Sequence, residues 1–181
     1  NLTPRRMQIS DYTYQTGNPA LRPQFVNQYS LTAVLGYKYS LTFVVQNIKD
    51  DIQQMGVSDA LNPNMMNLTH ENMPTTNQYA VIASLPITLA KWWDWNTNLT
   101  GGILEQRLDA DAPKTNKPFA QRYTAMTFKL PKKFFVDVDY SGMTGLEISN
   151  LKISANHSLN MNVKKLIKDS WVLQIGLQNL V

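Results

Sequence analysis

The sequence predicts an all-β fold, an antiparallel up-and-down meander of about eight strands. Three observations predict it. Apolar and polar residues alternate with period two over most of the chain. Short, turn-rich connections alternate with long polar ones. No stretch carries the 3.6-residue period of an amphipathic helix.

Residues 1–24 hold three prolines and little periodicity, so they read as a loop leading into the barrel-like portion, 25–181. The first strand is expected over 25–37, where Tyr29, Leu31, Ala33, Leu35 and Tyr37 alternate with Gln28, Ser30, Thr32, Gly36 and Lys38. Lys38-Tyr39-Ser40 reverses the chain into a second strand, 41–53. After a long polar connection, Gly56–Asn67, the third strand covers 68–86, with Tyr79, Val81, Ala83, Leu85 and Ile87 on one face. A short link at Lys91–Asp94 leads to the fourth strand, 95–107. Leu108–Pro118 is again long, and the fifth strand, 119–130, has no clear facing.

Pro131-Lys132-Lys133 forms a tight turn before the most regular strand, 134–141. There Phe134, Val136, Val138 and Tyr140 oppose Phe135, Asp137, Asp139 and Ser141. Gly142–Ile153 is the third long connection. The seventh strand, 154–164, sets His157, Leu159, Met161 and Val163 against Asn156, Ser158, Asn160 and Asn162. A short link at Leu166–Asp169 precedes the last, 171–180.

In a meander, every second connection lies on the same rim. One rim therefore carries only tight turns and the other all the long loops, which is the layout of outer-membrane barrels. Aromatics gather beside the tight turns: Tyr37, Tyr39, Trp92, Trp93, Trp95, Phe134, Phe135 and Trp171. At a membrane interface such rings form a girdle, and Lys38, Lys91, Lys132, Lys133 and Lys168 at the same rim would snorkel to headgroups. In a soluble β core the same rings would cap the strand ends. The polar faces are equally at home lining a wet lumen or coating a soluble sheet, so alternation alone does not say which side meets water.

The segment GNPALRPQFVNQYSLTAVLGYKYSLTFVVQNIKDDI, residues 17–52, resembles the barrel of TonB-dependent outer-membrane receptors of the Bacteroidetes type. Gly17, Asn18, Pro19, Leu21, Pro23, Asn27, Lys49, Asp50 and Ile52 carry the likeness, and Leu85–Trp93 and Ser158–Val181 are similar as well. The resemblance implies a segment of a larger transmembrane β-barrel of about 22 strands, with a plugged lumen. It implies a bacterial outer-membrane location, with membrane lipid as a partner. It further implies uptake of a small-molecule or oligomeric nutrient, driven by the TonB system through a plug domain that this sequence does not contain.

Composition limits the alternatives. Among 181 residues, 43% are hydrophobic, which argues against disorder. There is no cysteine, so disulfide scaffolds, thiolate metal sites and cysteine nucleophiles are excluded. The net charge of +4 is spread over turns, and no nucleic-acid footprint is expected. No signal-peptide pattern opens the sequence, and four Asn-x-Ser/Thr triplets, at Asn1, Asn67, Asn98 and Asn156, are expected to be chance matches.

Catalytic chemistry has little to work with. His70 lies next to Glu71 and far in sequence from His157, for which an interfacial or structural role is the expectation. Glu105, Asp109 and Asp111, like Asp50 and Asp51, read as solvated charge rather than ligands. Gly101-Gly102 lacks the lysine and following helix of a phosphate loop. The expectation is a non-enzyme with no catalytic, cofactor or metal residues and no assignable ligand contacts. Two alternatives remain: a soluble extracellular β-sandwich binding module, and a barrel with a structural or assembly role.

Overall fold

A computed structural model describes residues 5–59, 61–109, 111–167 and 171–181. The strands are β1 (Met7–Ser10), β2 (Thr13–Gln15), β3 (Phe25–Leu35), β4 (Tyr39–Ser58), β5 (Met66–Ala90), β6 (Trp93–Arg107) and β7 (Thr115–Leu130). They continue as β8 (Phe134–Met143), β9 (Leu146–Ile148), β10 (Leu151–Ile153), β11 (Asn156–Ile167) and β12 (Trp171–Leu177). Strands β3 to β8, then β11 and β12, pair in sequence order, each antiparallel to the next. The result is an open meander: among the described residues β3 is bonded only to β4 and β12 only to β11.

Several boundaries differ from those expected. The first hairpin turns at Gly36-Tyr37, not at Lys38–Ser40: both residues have positive φ (57° and 53°), and the Lys38 amide donates to the Leu35 carbonyl. Two consecutive left-handed residues match the twist of the flanking strands, and glycine takes the first without strain. Strands β4 and β5 run for 20 and 25 residues, so the polar stretch expected as a loop over Gly56–Asn67 shrinks to 59–65. The two apolar residues gained by the strands, Val57 and Met66, lie in adjacent rows and so on opposite faces, and the ladder continues there without an apolar side. Likewise β7 begins at Thr115, inside the expected Leu108–Pro118 loop, and the Gly142–Ile153 connection contains the β9–β10 hairpin.

The leading segment 1–24 is not wholly irregular. β1 pairs antiparallel with β2, and β2 runs parallel to the start of β5, with Thr13 opposite Met66. Short, polar strands held by a partner some 50 residues away leave no local signal. From there the chain crosses the top of β4 and β5. Asn18 Nδ2 donates to the His70 carbonyl (2.9 Å) and the Arg22 amide to Asn72 Oδ1 (2.7 Å). Gln24 Oε1 accepts from the Ile52 amide (3.1 Å).

No second layer covers the sheet among the described residues. Among the described residues only Tyr14, Met73 and Ala80 are buried hydrophobics, whereas Leu31 (72% exposed), Phe43 (48%), Val45 (44%) and Ile175 (65%) stand open. A soluble sandwich requires the opposite, an apolar face packed against a partner sheet. The sandwich alternative is therefore not favoured.

Candidate functional site

The functional structure is the wall itself, and register defines its two faces. Residues directly opposite each other share a face. One row runs Leu31, Phe43, Val81, Gly101 and Ala120 across β3 to β7; another runs Met126, Val138, Met161 and Leu177 across β7, β8, β11 and β12. This face is apolar. The other face holds Thr32, Thr42, Ser84, Asn98, Gln121, Ser141, Asn156, Ser158, Asn160 and Asn162. The facing of β7, open at the level of the sequence, is set by its neighbours: Met126 and Phe128 are outward, Gln121 and Tyr123 inward.

Charge is concentrated on the polar face and is paired there. Asp137 accepts from Thr127 Oγ1 (2.8 Å) and forms an ion pair with Lys164 (2.7 Å). Asp139 accepts from Asn160 Nδ2 (2.8 Å), and Lys129 meets Asp94 at 2.6 Å near the tight-turn rim. All these groups are partly exposed, as suits a wet interior.

The apolar face has clear upper and lower limits. At the lower rim, Trp92, Trp93 and Phe128 stack with ring centroids 5.6–6.3 Å apart. Tyr37 and Trp171 are largely exposed (103% and 74%). Tyr39 and Trp95 lie on the apolar face, Tyr39 at the foot of β4 and Trp95 low on β6. Phe134 carries the Lys165 ammonium 4.0 Å above its ring. Phe135, in contrast, belongs to the polar face. Lys168 lies outside the described residues.

At the upper limit, the row Tyr29, Val45, Tyr79 and Ile103 is followed by Asn47, Asn77 and Glu105. Asn47 donates to Asn77 (2.6 Å), Asn77 to Glu105 (2.6 Å), and Lys114 pairs with Glu105 (2.7 Å). The outward face thus becomes hydrophilic while β4 to β6 continue upward. A barrel strand needs only about 9–11 residues to cross a bilayer, so the remaining length of β4 and β5 stands in water above it. Tyr29, Tyr79 and Tyr140, near this upper limit, were not singled out as interface residues by sequence, because their height depends on register and not on distance from a turn.

Above the apolar band, the long connections fold onto the wall. The β9–β10 hairpin is fastened by Asn150, which donates to the Gly56 carbonyl (2.6 Å) and accepts from the Gly56 amide (3.0 Å). The Ser149 amide donates to Gln106 Oε1 (3.3 Å), beside buried Asp51, Met73 and Thr76. Loop 59–65 is organised by Asp59, whose carboxylate accepts from the Tyr14 hydroxyl (2.6 Å) and from the Leu61 and Asn62 amides. These donors, the phenol foremost, hold the Asp59 carboxyl below its usual range. The same hydrogen bond to a carboxylate pushes the Tyr14 phenol up.

A single open layer with one lipid-like face, one wet face, tight turns on one rim and long loops on the other is the form of a barrel wall. The profile of the outer membrane protein β-barrel family matches residues 1–181. The chain belongs to that family. It is accordingly a membrane-wall protein of the bacterial outer membrane. No curated protein and no solved structure matches it. Of the polar residues weighed in sequence, Glu105 is absorbed into the ladder above the band. Asp50 pairs with Arg22 (2.6 Å), and His157 bonds the Tyr140 hydroxyl. Among the described residues no group of three or more His, Cys, Asp or Glu is disposed to hold a metal ion.

Proposed function

We propose that this wall belongs to a receptor that takes up a nutrient through TonB-dependent transport, as the sequence from Gly17 to Ile52 suggests. The observation that supports this best is that eight long strands pass in order without closing. An eight-stranded barrel would already be complete, with an interior filled by side chains. Unpaired strand edges are not tolerated in hydrocarbon, so further strands must complete this ring. The finished lumen is wider than side chains alone can fill. It has room for a plug and a passing ligand, and the inner row from Asn98 through Tyr123 and Ser141 to Ser158 offers that interior hydrogen-bonding groups.

In this reading the lower aromatics, Tyr37, Tyr39, Trp92, Trp93, Trp95, Phe134 and Trp171, form the periplasmic girdle, and the long loops face the outside. The partners are outer-membrane lipid, an imported nutrient and the energy-coupling system acting through a plug. The wall performs no catalysis and holds no cofactor.

The test uses the full-length protein in its own outer membrane. Growth on limiting iron chelates, vitamins and glycan fragments is compared with and without the protein, and with the proton gradient collapsed. Loss of use of one nutrient class in both treatments is expected. Unchanged growth across the panel would overturn the uptake reading and favour a structural role for the barrel.

A further inference from the structure

The outward face carries one polar cluster that the wall does not require. Arg122 on β7, Tyr140 on β8 and His157 on β11 come together within otherwise apolar surface. Their rows are set by register: Arg122 faces Gly142, and Gly142 faces His157. The Tyr140 hydroxyl and His157 Nδ1 are 2.7 Å apart, and the Arg122 guanidinium lies 5.8 Å from the Tyr140 ring centroid. Arg122 Nε donates to Thr124 Oγ1 (2.9 Å), which is itself bonded to Thr97 Oγ1 (2.8 Å). Among the described residues no carboxylate pairs with Arg122.

Small residues make room for this cluster. A Cβ on Gly142 would fall 2.5 Å from the Tyr140 hydroxyl and 2.9 Å from His157 Nδ1. Beside it Gly101, whose Cβ position meets only open space, faces Ala120. Together with Leu99 these residues floor a shallow trough of about 350 Å³ on the membrane side. From Phe134 at the lower rim to Gly142, β8 climbs about 20 Å in a strand tilted by about 40°. That height is close to the top of an apolar band about 25 Å tall, on the rim of the long loops.

We propose that the trough binds the phosphate headgroup of an outer-leaflet lipid. Arginine's planar fork matches phosphate oxygens with two parallel bonds. With the Tyr140 hydroxyl donating to Nδ1, His157 keeps Nε2–H as a second donor. Below the cluster, Met126, Val138 and Met161 continue as apolar surface for acyl chains. A free phosphate would use the polar groups but gain nothing from that surface. The inference rests on the outer-membrane placement and not on the uptake reading.

The full-length protein is purified in detergent and reconstituted in bilayer discs with three probes: a phosphorylated glycolipid, the same lipid dephosphorylated, and inorganic phosphate. Native mass spectrometry counts retained lipid, and an unheated-gel shift verifies the folded barrel. Retention of the phosphorylated lipid is expected to exceed that of the dephosphorylated one by about tenfold, and to fall as far in R122Q. Gly101→Leu fills the trough from an unobstructed position and leaves Arg122 in place; it is expected to lose the lipid too. Equal retention of both lipids, or full retention in folded R122Q and Gly101→Leu, would overturn the proposal. So would competition by inorganic phosphate, which would assign the cluster to a soluble anion.

Discussion

Placing one charge on either face of the wall at the same height tests the assignment of the two faces directly. Val138 sits on the outward face between Met126 and Met161, and Ala125 on the inward face opposite Asp139. Val138 is four residues above Phe134, about 10 Å up a tilted strand and so near the middle of the hydrocarbon. An arginine on a barrel's lipid face at that depth costs about 2–4 kcal/mol, equivalent to about 30- to 1,000-fold in the folding equilibrium. Ala125→Arg projects into the interior beside the Asp139 carboxylate and is expected to change stability by less than about 1 kcal/mol. Urea titration of the full-length protein in lipid vesicles, followed by the heat-dependent gel shift, measures both. Equal losses in the two variants, or a larger loss for Ala125→Arg, would refute the assignment.

Other perturbations probe separate parts of the wall. Asp137→Ala removes the partner of Lys164 and Thr127. In a wet interior the cost is expected to stay within about 1 kcal/mol, whereas a dry one would raise it to about 3–5 kcal/mol, and the urea midpoint separates the two. Gly102→Ala is expected to destabilise by about 1–3 kcal/mol, because its Cβ would collide with the Tyr79 carbonyl oxygen and the Phe119 ring. Gly101→Ala, one residue away but open, should be tolerated in the same titration. The Tyr14–Asp59 contact should set the pH range over which loop 59–65 resists proteolysis. Asp59 is depressed, so its contribution is complete above the ordinary carboxylate range and disappears as pH falls through the still lower folded value. Tyr14 is raised, so its contribution is complete below about pH 10 and is lost only above it. Cleavage should therefore be flat between these limits and increase outside them, a profile that Asp59→Asn should flatten at the acid end.

The sequence by itself determined that the chain is a meander with two chemically distinct faces. Phe134, Val136, Val138 and Tyr140 against Asp137, Asp139 and Ser141 is a pattern only a strand can sort, because period two is a property of the extended backbone. The alternation of connection lengths likewise fixed which ends lie together on a rim. Along Gly56–Ser58 and Met66–Asn67, beyond the apolar band, no sustained contrast between the faces marks the strand, and the sequence read loop where ladders continue. The β1–β2 hairpin escaped for a related reason: its hold on β5 is long-range and leaves no local pattern. Only the tertiary structure decided the facing of β7, whose two sides are both mixed in polarity. Arg122, Tyr140 and His157 belong to three strands, and nothing within any one strand places them together. Register did that, since a shift of one residue would turn each of them to the other face.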